Sequence, residues 1–172
     1  MKKFQDIINS ILTMITKILT MITTLFFFSI LICVFLEVIF RYLLKISVPW
    51  TEEGARYLLV WMVFTGAIVT FRREENIKLT IILDKIPERT RMYFLIFIYL
   101  LIGLFNIILF KGSISMVKLD WHVPSSTIPG VVVGYLYLSC AFSCFLISIL
   151  VFIKLINIIL NSTYNQVESE EL

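Results

Sequence analysis

Four long apolar stretches dominate this chain of 172 residues and constrain its fold more than any other feature. Each is close to the roughly 20 residues that an α-helix needs to cross a bilayer core. Because lipid offers the backbone no hydrogen-bond partners, each stretch should be helical. The sequence therefore predicts an all-α integral membrane protein with four transmembrane helices, at residues 18–40, 54–71, 92–110 and 131–153.

The composition leaves little room for a soluble domain. Hydrophobic residues make up 59% of the chain and charged residues 16%, whereas a soluble domain carries roughly 25% charged residues. We therefore predict a single membrane domain over residues 1–172. The net charge of +3 is spread along the loops rather than gathered on one face, which argues against nucleic acid and favours membrane lipid as the partner of the basic residues.

The segments between and beyond the spans carry their own patterns. Residues 1–17 and 77–86 have apolar side chains at helical spacing, which predicts amphipathic helices lying on the inner membrane surface. The third helix is expected to continue to about Leu119 and the fourth to Leu160. Residues 161–172 end in several glutamates and are expected to form a mobile cytoplasmic tail. The hydroxyl-rich loop between the last two spans, Ser125, Ser126 and Thr127, is expected to cap the fourth helix.

The distribution of lysine and arginine predicts the orientation. With the amino terminus inside, ten basic residues lie on the inner side of the membrane and five on the outer side: Arg41, Lys45, Arg56, Lys111 and Lys118. This excess places both termini in the cytoplasm. Arg72 and Arg73, at the inner end of the second span, are interpreted as anchors to the inner surface.

Two groups of charged residues are candidates for a functional role. Glu37 is an ionisable residue inside a span, which marks a functional site by default, but it lies about 28 Å from Ile18 and hence near the outer interface. Arg41 follows four residues later and can pair with Glu37. Glu53 and Arg56 begin the second helix at the same level. We predict that these four residues form a network that either locks the first two helices together or faces a partner subunit; the alternative is that they are solvated helix ends.

The sequence lacks the residue patterns of an enzyme or a cofactor protein. It has one histidine, His122, and the three cysteines, Cys33, Cys140 and Cys144, fall inside spans, where small packing residues are expected. No cluster has metal-ligand spacing, and no glycine loop could hold a phosphate. We expect no enzyme activity, no metal and no cofactor in this chain. Transport by the chain alone is also unsupported, since the spans show neither a break nor an internal repeat.

A set of motifs nevertheless resembles one known family. The chain has Arg41-Tyr42, then Pro49-Trp50-Thr51-Glu52-Glu53-Gly54-Ala55-Arg56-Tyr57, then Trp61, Gly66-Ala67 and Arg72-Arg73. This pattern, with four spans and cytoplasmic ends, resembles the DctQ-type small membrane subunit of tripartite ATP-independent periplasmic (TRAP) transporters. Around the inner loop, where the family often has histidine and aspartate, this sequence carries Asn76 and Thr80.

The resemblance implies a function that the residues alone do not supply. In such systems of the bacterial inner membrane, a periplasmic substrate-binding protein delivers an organic acid to a large membrane subunit. That subunit moves the acid together with sodium ions by an elevator motion, and the small subunit is its fixed scaffold. Within this picture Glu53 and Arg56 are expected to be structural or docking residues, and Trp50 and Trp61 packing anchors. Independently of the resemblance, the glycine at Gly66 predicts a close helix contact.

Two other functions are compatible with four apolar helices. A self-assembling, proton-coupled small exporter would need Glu37 at the middle of the membrane and a homodimer. A membrane anchor of a respiratory complex would need redox groups from other subunits.

Overall fold

The computed structural model describes residues 2–74 and 88–170, and within these ranges it consists of four long helices. They are α1 (Lys2–Tyr42), α2 (Pro49–Glu74), α3 (Glu88–Asp120) and α4 (Gly134–Glu170). All four are long and apolar enough to cross a membrane. The predicted all-α fold class with four transmembrane helices is therefore confirmed.

The helices form two antiparallel pairs. In one pair α1 packs along α2, in the other α3 packs along α4, and contacts between α2 and α4 join the pairs. The two central helices are thus α2 and α4, which run in the same direction. We call the end of the bundle that carries residues 43–48 and 121–133 the loop end, and the opposite end, which carries both chain termini, the terminal end.

The first helix is longer than the sequence suggested. We expected residues 1–17 to form a separate interfacial helix before a turn into the membrane, but α1 continues without interruption from Lys2 to Tyr42. The physical reason is that this stretch contains neither glycine nor proline, so nothing breaks the helical hydrogen bonds. The helix ends where Lys45 adopts a left-handed backbone conformation with φ of 54°.

The last two helices also extend beyond the apolar stretches. As expected, α3 continues past its span and ends at Asp120. The fourth helix does not stop near Leu160 but continues to Glu170, again through a stretch without glycine or proline, so the predicted tail is helical over most of its length. The predicted amphipathic segment 77–86, with Asn76 and Thr80, lies outside the described residues.

An apolar cluster joins three of the helices. Leu19 of α1 and Ile68 and Val69 of α2 are buried, and three half-buried side chains of α4 pack against them: Leu146, Ile147 and Leu150. These side chains hold the three helices together in the interior of the bundle. Most of the apolar surface of the described residues nevertheless faces outward.

Small polar residues make the closest contacts between helices. The hydroxyl oxygens of Thr23 in α1 and Thr65 in α2 lie 3.1 Å apart. The Ser143 hydroxyl of α4 donates to the Phe64 carbonyl of α2 at 2.8 Å. In the other pair, the Ser113 hydroxyl of α3 lies 3.0 Å from the Cys140 sulfur. Such residues let transmembrane helices approach closely and satisfy their polar groups across the interface.

Candidate docking site at the loop end

The carboxylate of Glu53 is the most highly connected side chain at the loop end. It lies near the start of α2 and accepts hydrogen bonds from the backbone N–H groups of Thr127, at 2.8 Å, and of Ser126, at 3.3 Å. The Thr127 hydroxyl donates to the same carboxylate. We call this arrangement of Glu53, Ser126 and Thr127 the Glu53 clasp, because it joins the start of α2 to the loop before α4.

The local fold of the 121–133 loop explains why its N–H groups are free to face Glu53. The loop folds back on itself through hydrogen bonds from Ser125 N to Val131 O, at 2.8 Å, and from Val133 N to Val123 O, at 3.0 Å. Gly130 supports the reversal with φ of 84°, a conformation that favours glycine. The backbone at the tip of the loop has no strand or helix partner there, so a carboxylate can accept its hydrogen bonds.

This geometry corrects the predicted role of the loop hydroxyls. Because α4 begins only at Gly134, Ser125, Ser126 and Thr127 do not cap it. The Ser125 hydroxyl instead accepts a hydrogen bond from Ile128 N at 3.2 Å within the loop.

Apolar packing and a buried hydroxyl reinforce the clasp. The Ile128 side chain lies over Gly54, where a Cβ atom would be 3.8 Å from Ile128 Cδ1. Thr51, in the first turn of α2, has no exposed surface, and its hydroxyl donates to the Val48 carbonyl at 2.7 Å. The start of α2 is thereby held both to the preceding connection and to the loop before α4.

The predicted four-residue charge network does not form. Arg56 pairs with Glu52 at 3.1 Å, and both side chains are more than half exposed, so this pair contributes little to stability. The Glu53 carboxylate instead accepts hydrogen bonds from the N–H groups of Ser126 and Thr127. Among the described residues, Glu37 and Arg41 take part in no ion pair.

Glu37 and Arg41 line an open groove between the end of α1 and the start of α2. The groove has a volume of about 430 Å³, and its charged lining consists of Glu37, Arg41, Lys45 and Glu52. Since Pro49 and Glu52 share this groove, Glu37 lies at the loop end and not at the middle of the bundle. That position agrees with the depth expected from its distance to Ile18, and it removes the geometric basis for the exporter alternative.

Two more of the candidate residues from the sequence, Trp61 and Gly66, lie along α2 and contact α1. Trp61 meets Phe26 of α1 edge to face with ring centroids 6.4 Å apart, and a Cβ atom at Gly66 would be 3.6 Å from Thr23 Cγ2.

Three further sequence-selected residues lie near the ends of α2. At the terminal end the Arg72 guanidinium donates to the Thr13 hydroxyl at 3.2 Å, while Arg73 is exposed. Trp50 is 47% exposed, so it is not an interior packing residue of this chain.

The sequence did not identify Ser126 and Thr127 as partners of Glu53. The two segments are more than 70 residues apart, and the available signal was only an acidic residue near a helix start and a turn-rich loop. Either feature alone is ordinary, and only the packing of α2 beside α4 brings them together.

Comparison with known proteins identifies the family. Residues 30–161 match the family described as tripartite ATP-independent periplasmic transporters, DctQ component. The chain is 30% identical over 132 residues to a Haemophilus influenzae protein named as a TRAP transporter small permease protein, covering 74% of this chain and 79% of the relative. Shorter matches occur in Vibrio cholerae. They are to the C4-dicarboxylate TRAP transporter small permease protein DctQ, 30% identical over 51% of this chain and 36% of the relative, and to the sialic acid TRAP transporter small permease protein SiaQ, 35% identical over 30% of each. As its motifs predicted, the chain is a multi-pass membrane protein that belongs to the DctQ family of small permease subunits of TRAP transporters.

Proposed function

We propose that this chain is the fixed scaffold of a sodium-driven transporter that takes up an organic acid across the bacterial inner membrane. Its partners would be a large elevator-type membrane subunit, which binds sodium and substrate, and a periplasmic substrate-binding protein. The observation that carries the proposal is that non-covalent contacts between side chains and backbone connect all four helices. The outer faces of these helices are apolar. A scaffold must hold its shape while a neighbouring subunit moves.

The links are spread along the full height of the bundle. At the loop end the Glu53 clasp joins α2 to the chain before α4, and near the middle Ser143 joins α4 to α2. Near the terminal end Arg72 joins α2 to α1. Links at three heights resist both tilting and sliding of the central helices, which suits a part that must not move.

The names of the relatives support an organic acid as the proposed substrate. The Vibrio cholerae relatives are named for C4-dicarboxylate and for sialic acid, and both substrates are carboxylic acids. In the described part of this chain the buried polar residues are all uncharged: Thr51, Thr65, Asn106, Ser113, Ser139 and Ser143. Substrate recognition would therefore reside in the partner proteins.

The orientation that we propose has both termini in the cytoplasm. The sequence assigns ten basic residues to the side of the termini and five to the other side, and this excess supports the orientation. Reporter fusions after Ser125 and after Asn165 test it. Alkaline phosphatase fused after Ser125 should be active, and alkaline phosphatase fused after Asn165 should be inactive. An active fusion after Asn165 would contradict the proposed orientation.

The loop end is the proposed docking surface for the partners. Glu37 and Arg41 in the charged groove, Arg56 and the exposed Trp50 all lie there. If Glu53 and Arg56 support assembly, Glu53→Ala and Arg56→Ala should each reduce uptake together with the amount of large subunit that copurifies. Lost uptake with normal copurification would contradict that explanation.

Reconstitution tests the proposed function directly. The chain, the large subunit and the binding protein are placed in proteoliposomes in all combinations, and uptake of radiolabelled organic acid is measured with and without an inward sodium gradient. Uptake should require all three proteins and the gradient. Solute transport by vesicles that contain only this chain would overturn the proposal.

A further inference from the structure

The register between helices places a lysine at an unexpected depth. Along the α3–α4 pair, Ser113 contacts Cys140, and a Cβ atom at Gly103 would lie 3.5 Å from Val151. Counting along both helices sets Lys111 opposite Phe142 from the first contact and opposite Ser143 from the second, so Lys111 lies at the level of these two residues. The Ser143 hydroxyl in turn donates to the Phe64 carbonyl of α2, so Lys111 lies at the level of Phe64.

Phe64 lies near the middle of its own span. It follows Glu53 by eleven residues and precedes Arg72 by eight, which correspond to about 16 Å and about 12 Å along the helix. The backbone of Lys111 is therefore near half the height of the span Pro49–Arg73. The sequence had assigned Lys111 to the outer side of the membrane. The difference arises because the apolar stretch of α3 is shifted toward the terminal end relative to that of α2.

Lys111 is part of a polar strip on the outward face of α3. Lys111, Ser115 and Lys118 are all exposed, and spacings of four and three residues put them on one side of the helix. We call these three residues the polar seam. Neither lysine forms an ion pair within the described part of the chain.

The polar seam continues into an apolar stripe with the same spacing. Toward the terminal end the exposed residues at intervals of three and four are Ile108, Leu104, Leu101 and Phe97. Beside them is a groove of about 470 Å³ lined by Leu101, Ile102, Leu104, Phe105 and Ile108. Alternating intervals of three and four are the pattern by which one helix packs against another.

The face of α3 that carries Lys111 is not expected to be covered by lipid alone. A charged side chain in the hydrocarbon region is expensive, and such residues almost always face protein or water. The four-carbon stem of lysine reaches roughly 6 Å, well short of the loop end from the position of Lys111. A symmetric dimer through this face would also bring the lysines of two copies together, where like charges repel.

We propose that the polar seam and its apolar stripe are the contact face for a transmembrane segment of the large subunit that carries a carboxylate at the depth of Lys111. This inference rests on the proposed function and specifies where the scaffold meets its partner. The carboxylate neutralises Lys111, and the apolar stripe packs against the same segment over the next turns.

Site-specific photo-crosslinking in the complete transporter tests the position of the partner. A benzophenone amino acid is placed at Ser115, and at Met116 as the matched control, since Met116 is also exposed but lies around the helix from the polar seam. The Ser115 probe should capture the large subunit several-fold more efficiently than the Met116 probe. Equal capture at both positions, or capture of only lipid or a second copy at Ser115, would overturn the inference.

Charge variants test the chemistry of the contact. Lys111→Met should lower copurification of the large subunit several-fold, whereas Lys111→Arg should retain it. If the Lys111→Met variant inserts into the membrane and copurifies as much large subunit as the wild type does, residue 111 faces lipid and the inference is overturned. If Lys111→Met fails to insert, the Ser115 probe in the otherwise unchanged protein still decides.

The same material separates this inference from the proposed function. If the wild-type complex takes up substrate but the probe at Ser115 does not crosslink to the large subunit, only the proposed contact face is refuted. A wild-type chain that binds no large subunit at all refutes both.

Discussion

At the scale of single residues, Glu53 is the side chain whose replacement should matter most. Glu53→Gln keeps the size but removes the negative charge and places an amide donor against the N–H groups of Ser126 and Thr127. Hydrogen bonds to a charged acceptor are stronger than those to a neutral one, so we expect a melting temperature lower by several degrees.

Glu52→Gln is the matched control for that variant. It removes the exposed pair with Arg56 and leaves the Glu53 clasp intact, so its melting temperature should stay close to that of the wild type. Both are measured by thermal unfolding in detergent. Equal effects of the two variants would mean that the Glu53 clasp does not stabilise the fold.

The contact between Thr23 and Thr65 permits a sharper measurement. Their hydroxyl oxygens are within hydrogen-bond distance across the α1–α2 interface. Hydrogen bonds between transmembrane helices average about 0.6 kcal/mol, so a double-mutant cycle with Thr23→Val and Thr65→Val should give a coupling free energy of that order. The unfolding of the four proteins is followed by steric trapping. A coupling of zero would show that the hydroxyls do not act together.

At the scale of helices, Gly134 controls how closely α3 and α4 meet at the loop end. A Cβ atom there would lie 3.4 Å from both Asp120 O and Trp121 Cα, which are backbone atoms that cannot rotate away. Gly134→Val adds two further methyl groups and should separate the helix ends, lowering the melting temperature and weakening copurification of the large subunit.

Gly112 provides the control for that substitution. No atom lies within 4 Å of its Cβ position, so Gly112→Val in α3 should fold as well as the wild type. Comparable losses in both variants would point to a general effect of valine in these helices rather than to the close approach at Gly134.

The extent of the helices was only partly predictable. The apolar stretches gave the number of helices and their type, because hydrogen bonding in lipid leaves few alternatives. The lengths of α1 and α4 were underestimated, since the amphipathic residues before Lys17 and the polar residues after Leu160 continue these helices as readily as apolar residues do. Without glycine or proline, a change in polarity alone does not end a helix.

At the scale of the whole molecule, the relative position of the helices was not accessible from the sequence. Depths counted along one helix were reliable for Glu37, but a shift between helices moved Lys111 from the expected outer edge to mid-height. The same limit hid the Glu53 clasp, because the packing of α4 on α2 is what brings the start of α2 and the 121–133 loop together. The family motifs indicated the family even though they did not reveal these contacts.

The exposed apolar surface predicts that the isolated subunit is less stable than the assembled one. In the most apolar stretches of α1 and α3, only 6% and 11% of the residues are buried within this chain. Because a partner that binds only the folded state stabilises it, the melting temperature should rise when the large subunit is present. Fluorescence-detected thermal unfolding of the chain alone and in the copurified complex measures the difference. An unchanged melting temperature would mean that lipid covers these faces in the transporter.

The Glu53 clasp also sets an order of events during biosynthesis. Glu53 leaves the ribosome more than 70 residues before Thr127 does. The first hairpin must therefore enter the membrane with this carboxylate still hydrated. The carboxylate can exchange water for these backbone amides only once the second hairpin lies beside the first, so the first hairpin alone cannot form the clasp.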